Sequence, residues 1–204
     1  MKGIEGSRLY KYGLNTKGIV EQGMDGRYTM AAADAGAIAF CAASCSGDHL
    51  EIGALHGGSA IIAAMAKKRF GQTGTIYTID PFGWAVGQSQ VGPEPSPEVV
   101  MQNAKLFKVD DRIVVFKQRH PPLPEELEDI IFDTAFIDGD HSYEGAKADW
   151  NNLHQRARKY ILMHDITLNK YIERECGLVY KEAQYSGSWK SIYIRSKMGI
   201  LERV

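Results

Sequence analysis

Three acidic side chains and a histidine lie close together behind one apolar run. The stretch FIDGDHSYEG, residues 136–145, places Asp138 and Asp140 just before His141, with Glu144 following. Carboxylate and imidazole groups at this spacing can bind a divalent metal ion or act as a general base. They can equally form no more than the polar cap where a strand stops. The stretch alone leaves these three interpretations open.

A second polar pair, His164 and Asp165, ends the later apolar run YILMHDI. Neighbouring strand ends lie only about 5 Å apart in a sheet, so Asp138, His164 and Asp165 could converge on one ion. We predict these three residues as a metal site for Mg²⁺ or Mn²⁺, although imidazole shifts the preference from Mg²⁺ toward Mn²⁺, Zn²⁺ or no metal. The alternative is that His164 caps its strand and Asp165 only supports the site.

A glycine-rich turn precedes both clusters. LEIGALHGGSA places Gly53 at the end of an apolar run and Gly57 before a helical pattern. Such glycines allow a tight turn and let a ligand approach a helix N-terminus. A phosphate loop is excluded because no Gly-Lys-Ser/Thr follows, and the dinucleotide fingerprint is incomplete because Ala54 and Leu55 occupy the place of its second glycine.

Asp80 ends the next predicted strand, within YTIDP. A carboxylate in that place can accept hydrogen bonds from both hydroxyls of a ribose. A glycine loop and an acid one βα unit apart therefore indicate a nucleoside-bearing cofactor. The lack of a diphosphate pattern favours a nucleoside without phosphates.

Alternating strands and helices must position these residues. The predicted strands are 49–54, 75–80, 112–118, 134–140, 160–166, 177–185 and 190–196, and the predicted helices are 29–45, 59–71, 97–109, 124–130 and 143–159. This alternation predicts an α/β fold, a Rossmann-like, doubly wound and mostly parallel seven-stranded sheet with an antiparallel C-terminal strand. Such sheets bind ligands beyond the carboxyl ends of their strands, where all these polar residues lie.

The motifs together resemble one enzyme class. LEIGALHGGSA, TIYTIDP and IDGDHSYEG stand in the order found in class I S-adenosylmethionine-dependent methyltransferases. The sequence is similar to the catechol O-methyltransferase group, and closer to the bacterial family that includes macrocin-type sugar O-methyltransferases. The resemblance covers roughly residues 29–170 and rests on several motifs in matching order.

The resemblance implies a cofactor site for S-adenosylmethionine. The methionine part of the cofactor would be lined by Gly53, Ala54, Leu55 and Gly57, with Ser59 at its carboxylate and Glu51 near its amino group. Asp80 would hold the ribose, and Asp138 would face the sulfonium. The adenine would have Pro81 and Phe82 beside it and Gln118 at its edge. The segment KQRH departs from the family, which more usually has an acidic or small residue there. For Phe82, core packing is an equal alternative.

The resemblance also implies catalytic roles. His141 stands where catechol-type enzymes carry a catalytic lysine, and its unperturbed pKa of about 6.5 suits a general base. We expect Asp138 and His141 to be catalytic in methylating a hydroxyl of a small molecule, a sugar or a phenol, with a divalent metal, a histidine base or both. A loop-fixing His141, a nicotinamide-dependent oxidoreductase and a non-catalytic cofactor-binding protein are the alternatives.

The net charge and composition of the chain limit the kinds of partner that we expect it to bind. The 204 residues carry a formal net charge of −1 with 44% hydrophobic residues, which favours one globular domain over residues 1–204 and no nucleic-acid or membrane partner. Within it we expect an N-terminal arm over 1–28, a core over 29–204 and a lid around Trp84 in segment 83–97. Cys41 and Cys45 are predicted buried thiols, and with no disulfide framework a cytoplasmic setting is expected. A homo-oligomer is left open.

Overall fold

A computed structural model describes residues 3–24, 30–83, 92–169, 172–173 and 175–204, except for the side chains of 168–169 and 172–173. Its helices are α1 Arg8–Gly23, α2 Ala32–Ala43, α3 Gly58–Arg69, α4 Pro97–Leu106, α5 Tyr143–Leu153 and α6 Glu175–Tyr185. Its strands are β1 His49–Ile52, β2 Ile76–Asp80, β3 Ile113–Lys117, β4 Phe132–Ile137, β5 Ala157–Met163, β6 Thr167–Asn169, β7 Ile172–Glu173, β8 Trp189–Arg195 and β9 Met198–Arg203.

Seven of these strands form one sheet in the order β3-β2-β1-β4-β5-β9-β8. Strands β1 to β5 are parallel, and β9 pairs antiparallel with both β5 and β8. The predicted Rossmann-like sheet with an antiparallel C-terminal strand is therefore confirmed. The chain reverses its direction of winding between β1 and β4, which are hydrogen-bonded neighbours. This switch point is where such sheets bind ligands.

The core lies on both faces of the sheet. Strand β4 is buried along nearly its whole length because its alternate residues face opposite layers and both layers are covered. Phe136 packs in the layer with α1, α2 and α3, whereas Ala135 and Ile137 pack in the layer with α5 and α6. Two covered faces leave the carboxyl edge of the sheet as the place where polar residues gather.

The predicted N-terminal arm contains helix α1. Ser7 begins the helix by accepting a hydrogen bond from the Tyr10 amide, and Tyr10 and Val20 are buried in the core. At Gly13 the helix lies so close to α2 that an added Cβ would stand 2.3 Å from the Ala35 carbonyl oxygen. The polar composition and the glycines obscured this helix in the sequence, although Gly13 serves close packing rather than a turn.

The strand predicted over 177–185 is wrong, because this segment belongs to helix α6. The residues it buries are Cys176, Gly177, Val179, Tyr180 and Ala183, and all but Gly177 are spaced i, i+3, i+4 and i+7 as on one helical face. The Val and Tyr content favoured a strand, but the period is helical. The true partner of β8 is β9, a final strand that was not predicted.

Other element boundaries also differ. Helix α5 ends at Leu153, and residues 157–159, predicted as helix, begin β5. The acidic helix predicted over 124–130 is a single 3₁₀ turn, Glu125–Leu127. Helix α2 begins after Ala31, whereas Trp84 and most of the predicted lid lie outside the described residues.

Two further sequence predictions concern the core and membranes. Cys41 and Cys45 are buried thiols without a disulfide, as predicted. Within the described ranges, none of the helices has the length and apolar character that a bilayer span requires.

Candidate functional site

The glycine loop, residues 53–58, connects β1 to α3 and lies against the end of β4. Gly53 has a φ of +96°, and a Cβ there would lie 2.2 Å from the Asp138 carbonyl oxygen. Only glycine meets both conditions without strain. Gly57, at φ +84°, is the N-cap of α3. The loop therefore brings the α3 N-terminus and Asp138 to one edge of the sheet.

Asp80 holds this loop in place. Its Oδ2 accepts hydrogen bonds from the amides of Ala54 at 2.7 Å and Leu55 at 3.0 Å, and its Oδ1 accepts one from the Phe82 amide at 2.6 Å. A carboxylate offers about four acceptor positions, so about one remains for a hydroxyl of a ligand. Pro81 is exposed, and Phe82 is only partly buried and outside both core clusters. This exposure leaves the Phe82 ring available to a ligand.

Glu51 is a fully buried acid on β1, below the glycine loop. Its Oε2 accepts a hydrogen bond from the Thr78 hydroxyl at 2.8 Å, and Ser59 in the first turn of α3 is also a polar neighbour. Burial raises the pKa of Glu51 to about 8 despite these hydroxyls. The carboxyl is consequently neutral at pH 7, unless a cation such as a ligand ammonium comes beside it.

Four side chains meet at the ends of β4 and β5, and we call Asp138, His141, His164 and Asp165 the carboxylate–histidine cluster. His141 lies between the two acids, with Nε2 3.3 Å from Asp138 Oδ1 and Nδ1 3.2 Å from Asp165 Oδ2. His164 Nδ1 lies 3.2 Å from Asp138 Oδ1 and 3.5 Å from Asp165 Oδ2. The predicted meeting of residues from two strand ends is what the structure shows.

The cluster has a donor set that fits a divalent cation. One ligand atom each from Asp138, His141 and Asp165 lie within 4.8 Å of one another. Two carboxylates and imidazole suit Mn²⁺ or Zn²⁺ at least as well as Mg²⁺. The predicted metal set contained His164 in place of His141, and the structure brings both histidines to the acids.

Opposite charges stabilise the cluster. Burial disfavours the imidazolium of His164, but Asp138 and Asp165 together hold its pKa well above the usual range. The hydrogen bond to Asp138 raises the pKa of His141 as well. The pKa of Asp165 is lowered, since its contacts with His164 and His141 outweigh its burial. The acids are thus ionised and the histidines readily carry a proton.

Two side chains that sequence reasoning missed also reach the cluster. Asp34 of α2 lies 3.4 Å from His164 Nε2, and Lys197, between β8 and β9, places its Nζ 3.2 Å from Asp165 Oδ1. Neither stands in a recognisable motif. Their positions depend on how α2 and the C-terminal hairpin pack, which no local pattern could indicate.

The remaining predicted residues lie around this edge. Asp140 accepts a hydrogen bond from the Ser142 amide and so shapes the turn into α5. Gln118 directs its Nε2 to the Pro122 carbonyl oxygen at 2.7 Å. The His120 ring is buried 2.6 Å from Asp149, and His56 binds the Pro93 carbonyl oxygen, as loop-fixing histidines do.

Comparisons with known proteins identify the class. The sequence profile of the methyltransferase domain family matches residues 50–166, and the chain belongs to that family. The predicted class is thereby confirmed: the protein is an S-adenosylmethionine-dependent methyltransferase, with S-adenosylmethionine as its cofactor.

Solved structures share the fold at low sequence identity. The O-methyltransferase NovP is 16% identical, with 96% of each chain covered and a TM-score of 0.68. An O-methyltransferase from Bacillus cereus in complex with SAH is 15% identical, with 97% of this chain and 91% of that chain covered and a TM-score of 0.63. CalS11, a TDP-rhamnose 3'-O-methyltransferase, is 15% identical over 96% of this chain and 81% of its own, with a TM-score of 0.55. No curated protein sequence matches the chain.

Proposed function

We propose that this methyltransferase transfers the methyl group to a hydroxyl oxygen of a small molecule, a sugar or a phenol. The observation that carries the proposal is the position of His141 between Asp138 and Asp165, next to the glycine loop. An oxygen acceptor needs a group that removes its proton, and this imidazole is 43% exposed at the carboxyl edge. A thiol acceptor, with a pKa of about 8.5, would need such a group less than a hydroxyl does.

We place the cofactor at the switch point of the sheet, beside the ends of β1 and β4. We assign Gly53, Ala54, Leu55, Gly57 and Ser59 to the methionine part, Glu51 to its ammonium, Asp80 to the ribose, and Pro81, Phe82 and Gln118 to the adenine. The amides that Asp80 fixes support this assignment because they give the loop one conformation before a ligand arrives. Asp138 then faces the positively charged sulfonium, which its carboxylate attracts.

The reaction is an in-line displacement on the methyl carbon. A lone pair of the acceptor oxygen forms the new C–O bond while the S–C bond breaks, and its electron pair stays on sulfur. The neutral form of His141 has one ring nitrogen with a lone pair, and that nitrogen takes the hydroxyl proton. Asp138 and Asp165 stabilise the imidazolium that forms, because both carboxylates lie within 3.3 Å of its nitrogens.

A divalent ion fits the same cluster. Asp138 and Asp165 would hold it together with His141 or His164, as the donor set allows. Such an ion supplies a Lewis acid that favours the deprotonated form of a hydroxyl. Asp138 keeps its place beside the cofactor whether or not an ion binds.

Two observations bear on the acceptor and on the alternatives. The sugar proposal is supported by the similar fold of CalS11, whose stated acceptor is a nucleotide sugar. The nicotinamide alternative is not favoured, since the chain belongs to a methyltransferase family and its loop lacks the second glycine of a dinucleotide site. A non-catalytic cofactor-binding role does not require an exposed imidazole between two carboxylates.

The test is an acceptor screen. The protein is incubated with S-adenosylmethionine and a panel of catechols, other phenols and nucleotide sugars, and the product S-adenosylhomocysteine is measured by mass spectrometry. Each reaction is run with a chelator and with added Mg²⁺ or Mn²⁺. Methylation at a hydroxyl supports the proposal, whereas methylation only at nitrogen or sulfur contradicts it. If activity survives chelation, the reaction needs no metal ion, and His141 remains the proposed base.

A further inference from the structure

Asp34 is a buried acid that contacts the carboxylate–histidine cluster at His164. It lies on the side of the His164 ring opposite to Asp138 and Asp165. It is the third residue of α2 and only 1% exposed. Its Oδ2 lies 3.4 Å from His164 Nε2 and 3.5 Å from the Ser196 hydroxyl. Its Oδ1 has no hydrogen-bond partner among the described residues. Asp34 therefore links α2 to the site through His164.

A carboxylate in this position is costly for the fold. The rest of α2 is buried and dominated by alanine, from Ala35 to Ala43. A buried charge destabilises a protein unless an opposite charge compensates it. Among the described residues, His164 is the one that forms an ion pair with Asp34. Packing alone does not account for an acid here, since a neutral side chain would fill the same space.

The contacts of Asp34 determine how the His164 ring stands. Nε2 faces Asp34, so Nδ1 on the other edge faces Asp138 at 3.2 Å and Asp165 at 3.5 Å. Phe136 lies edge-on to the ring, with centroids 6.4 Å apart. Nε2 is hydrogen-bonded to Asp34, and Nδ1 lies within 3.5 Å of two carboxylates without a hydrogen bond of good geometry, so a flip of the ring would lose the Asp34 bond and turn a carbon toward the two acids. A carboxylate that binds the outer nitrogen of a site histidine commonly fixes its orientation in this way.

We propose that Asp34 is a positioning residue for the methyl-transfer reaction: it holds the His164 ring so that Nδ1 faces Asp138 and Asp165. This rests on the proposed function, in which these acids serve the reaction. His164 in turn fixes the two carboxylates that contact His141. Where a divalent ion binds the cluster, the same contact presents Nδ1 as the nitrogen that faces it.

A thermal double-mutant cycle tests the link without any acceptor. The variants are Asp34→Asn, His164→Ala and the double variant, each compared by unfolding midpoint. Asp34→Asn should lower the midpoint of the wild-type protein. In the His164→Ala protein it should raise the midpoint, because a buried carboxylate that has lost its cation is removed. The same change in both backgrounds would show that Asp34 does not act through His164, and would overturn the proposal.

A kinetic cycle with the acceptor from the screen tests the role in the reaction. Asp34→Asn should lower kcat by about tenfold or more, as removal of such outer carboxylates does at metal sites, with KM for S-adenosylmethionine unchanged. In the His164→Ala background it should cause no further loss. Ser196→Ala removes the other contact of Asp34 Oδ2 and is the matched control, with wild-type kcat expected.

The outcomes separate this inference from the proposed function. A wild-type kcat in folded Asp34→Asn overturns the positioning role. So does a further loss of kcat when Asp34→Asn is added to His164→Ala. A wild-type protein that methylates no hydroxyl instead defeats the proposed function. The thermal cycle then still decides whether Asp34 orients His164.

Discussion

At the scale of single residues, the site combines groups whose neighbours set their charge. His141 and His164 are surrounded by carboxylates, which raise the pKa of both rings, whereas burial raises the pKa of Glu51 to about 8 and so favours its protonated form. These opposite environments lie at the ends of neighbouring strands. In the proposed function, Glu51 meets the ammonium of the cofactor and the carboxylates beside His141 favour the proton that it takes from the acceptor.

Glu51 should make stability depend on pH. Its folded-state pKa of about 8 exceeds its ordinary value of 4.5, so from about pH 4.5 to about pH 8 the folded chain holds a proton that the unfolded chain has lost. This contribution lowers the free energy of unfolding as pH rises through that window. Glu51→Gln should remove it, and the midpoint of the variant relative to wild type should increase from pH 5 to pH 8 in thermal unfolding. The same substitution at exposed Glu126 is the control, and a constant difference for Glu51→Gln would contradict the assignment.

Gly53 should tolerate no side chain. Gly53→Ala forces a Cβ to 2.2 Å from the Asp138 carbonyl oxygen and also strains a residue at φ +96°. Gly71→Ala is the matched control, because Gly71 has φ +72° but open space around the position of a Cβ. The control should lose about 1–3 kcal/mol for its backbone strain alone. Gly53→Ala should lose more, together with affinity for S-adenosylmethionine measured by calorimetry. Equal losses in the two variants would show that the close approach does not matter.

At the scale of elements, the parallel strands were predictable and the segments that cover them were less so. Strands β1 to β5 follow apolar runs that end in polar residues, so their places in the sequence and the edge that carries the site followed from the pattern. Helix α6 was mistaken for a strand because Val179 and Tyr180 have high β propensity, although its buried positions have a helical period. Helix α1 was missed because its polar face and glycines obscure the period. Asp34 and Lys197 join the site only through tertiary packing.

The contact between α1 and α2 provides a test within one helix. Alanine favours a helix over glycine by about 1 kcal/mol, so Gly18→Ala, which meets nothing within 4 Å, should stabilise the protein by up to that amount. Gly13→Ala should destabilise it instead, because its Cβ would lie 2.3 Å from the Ala35 backbone oxygen. Chemical denaturation of both variants measures the two signs. A stabilising Gly13→Ala would contradict the close packing of α1 on α2.

At the scale of the whole molecule, one sheet brings the cofactor and acceptor ends together. The order β3-β2-β1-β4-β5 places Asp80, the glycine loop and the carboxylate–histidine cluster at four neighbouring strand ends, those of β2, β1, β4 and β5. These motifs identified the enzyme class from sequence, because the chemistry of each lies in a few consecutive residues. The acceptor did not follow, since the segments that could shape its pocket carry no such motif.

Ligand binding should report on this organisation. If residues 1–204 form one domain, the protein should unfold in one calorimetric transition. S-adenosylhomocysteine at about 100 times its Kd should stabilise the folded state by about 2.7 kcal/mol, a rise of roughly 5–10 °C for a chain of this size. NAD⁺ at the same concentration should produce no shift. Two transitions would contradict a single domain, and a shift with NAD⁺ would revive the oxidoreductase alternative.

The central claim is that His141, placed between two carboxylates, serves methyl transfer to a hydroxyl. Single-turnover transfer from bound S-adenosylmethionine to the hydroxyl acceptor, in wild type and in His141→Ala, tests it most directly. Exposed Glu144→Gln, in the first turn of α5, is the control, and cofactor affinity is measured for each protein. We predict that His141→Ala loses about 10²–10⁴-fold in rate with unchanged cofactor affinity, as loss of a general base does. A folded His141→Ala protein that transfers the methyl group at the wild-type rate would contradict the account.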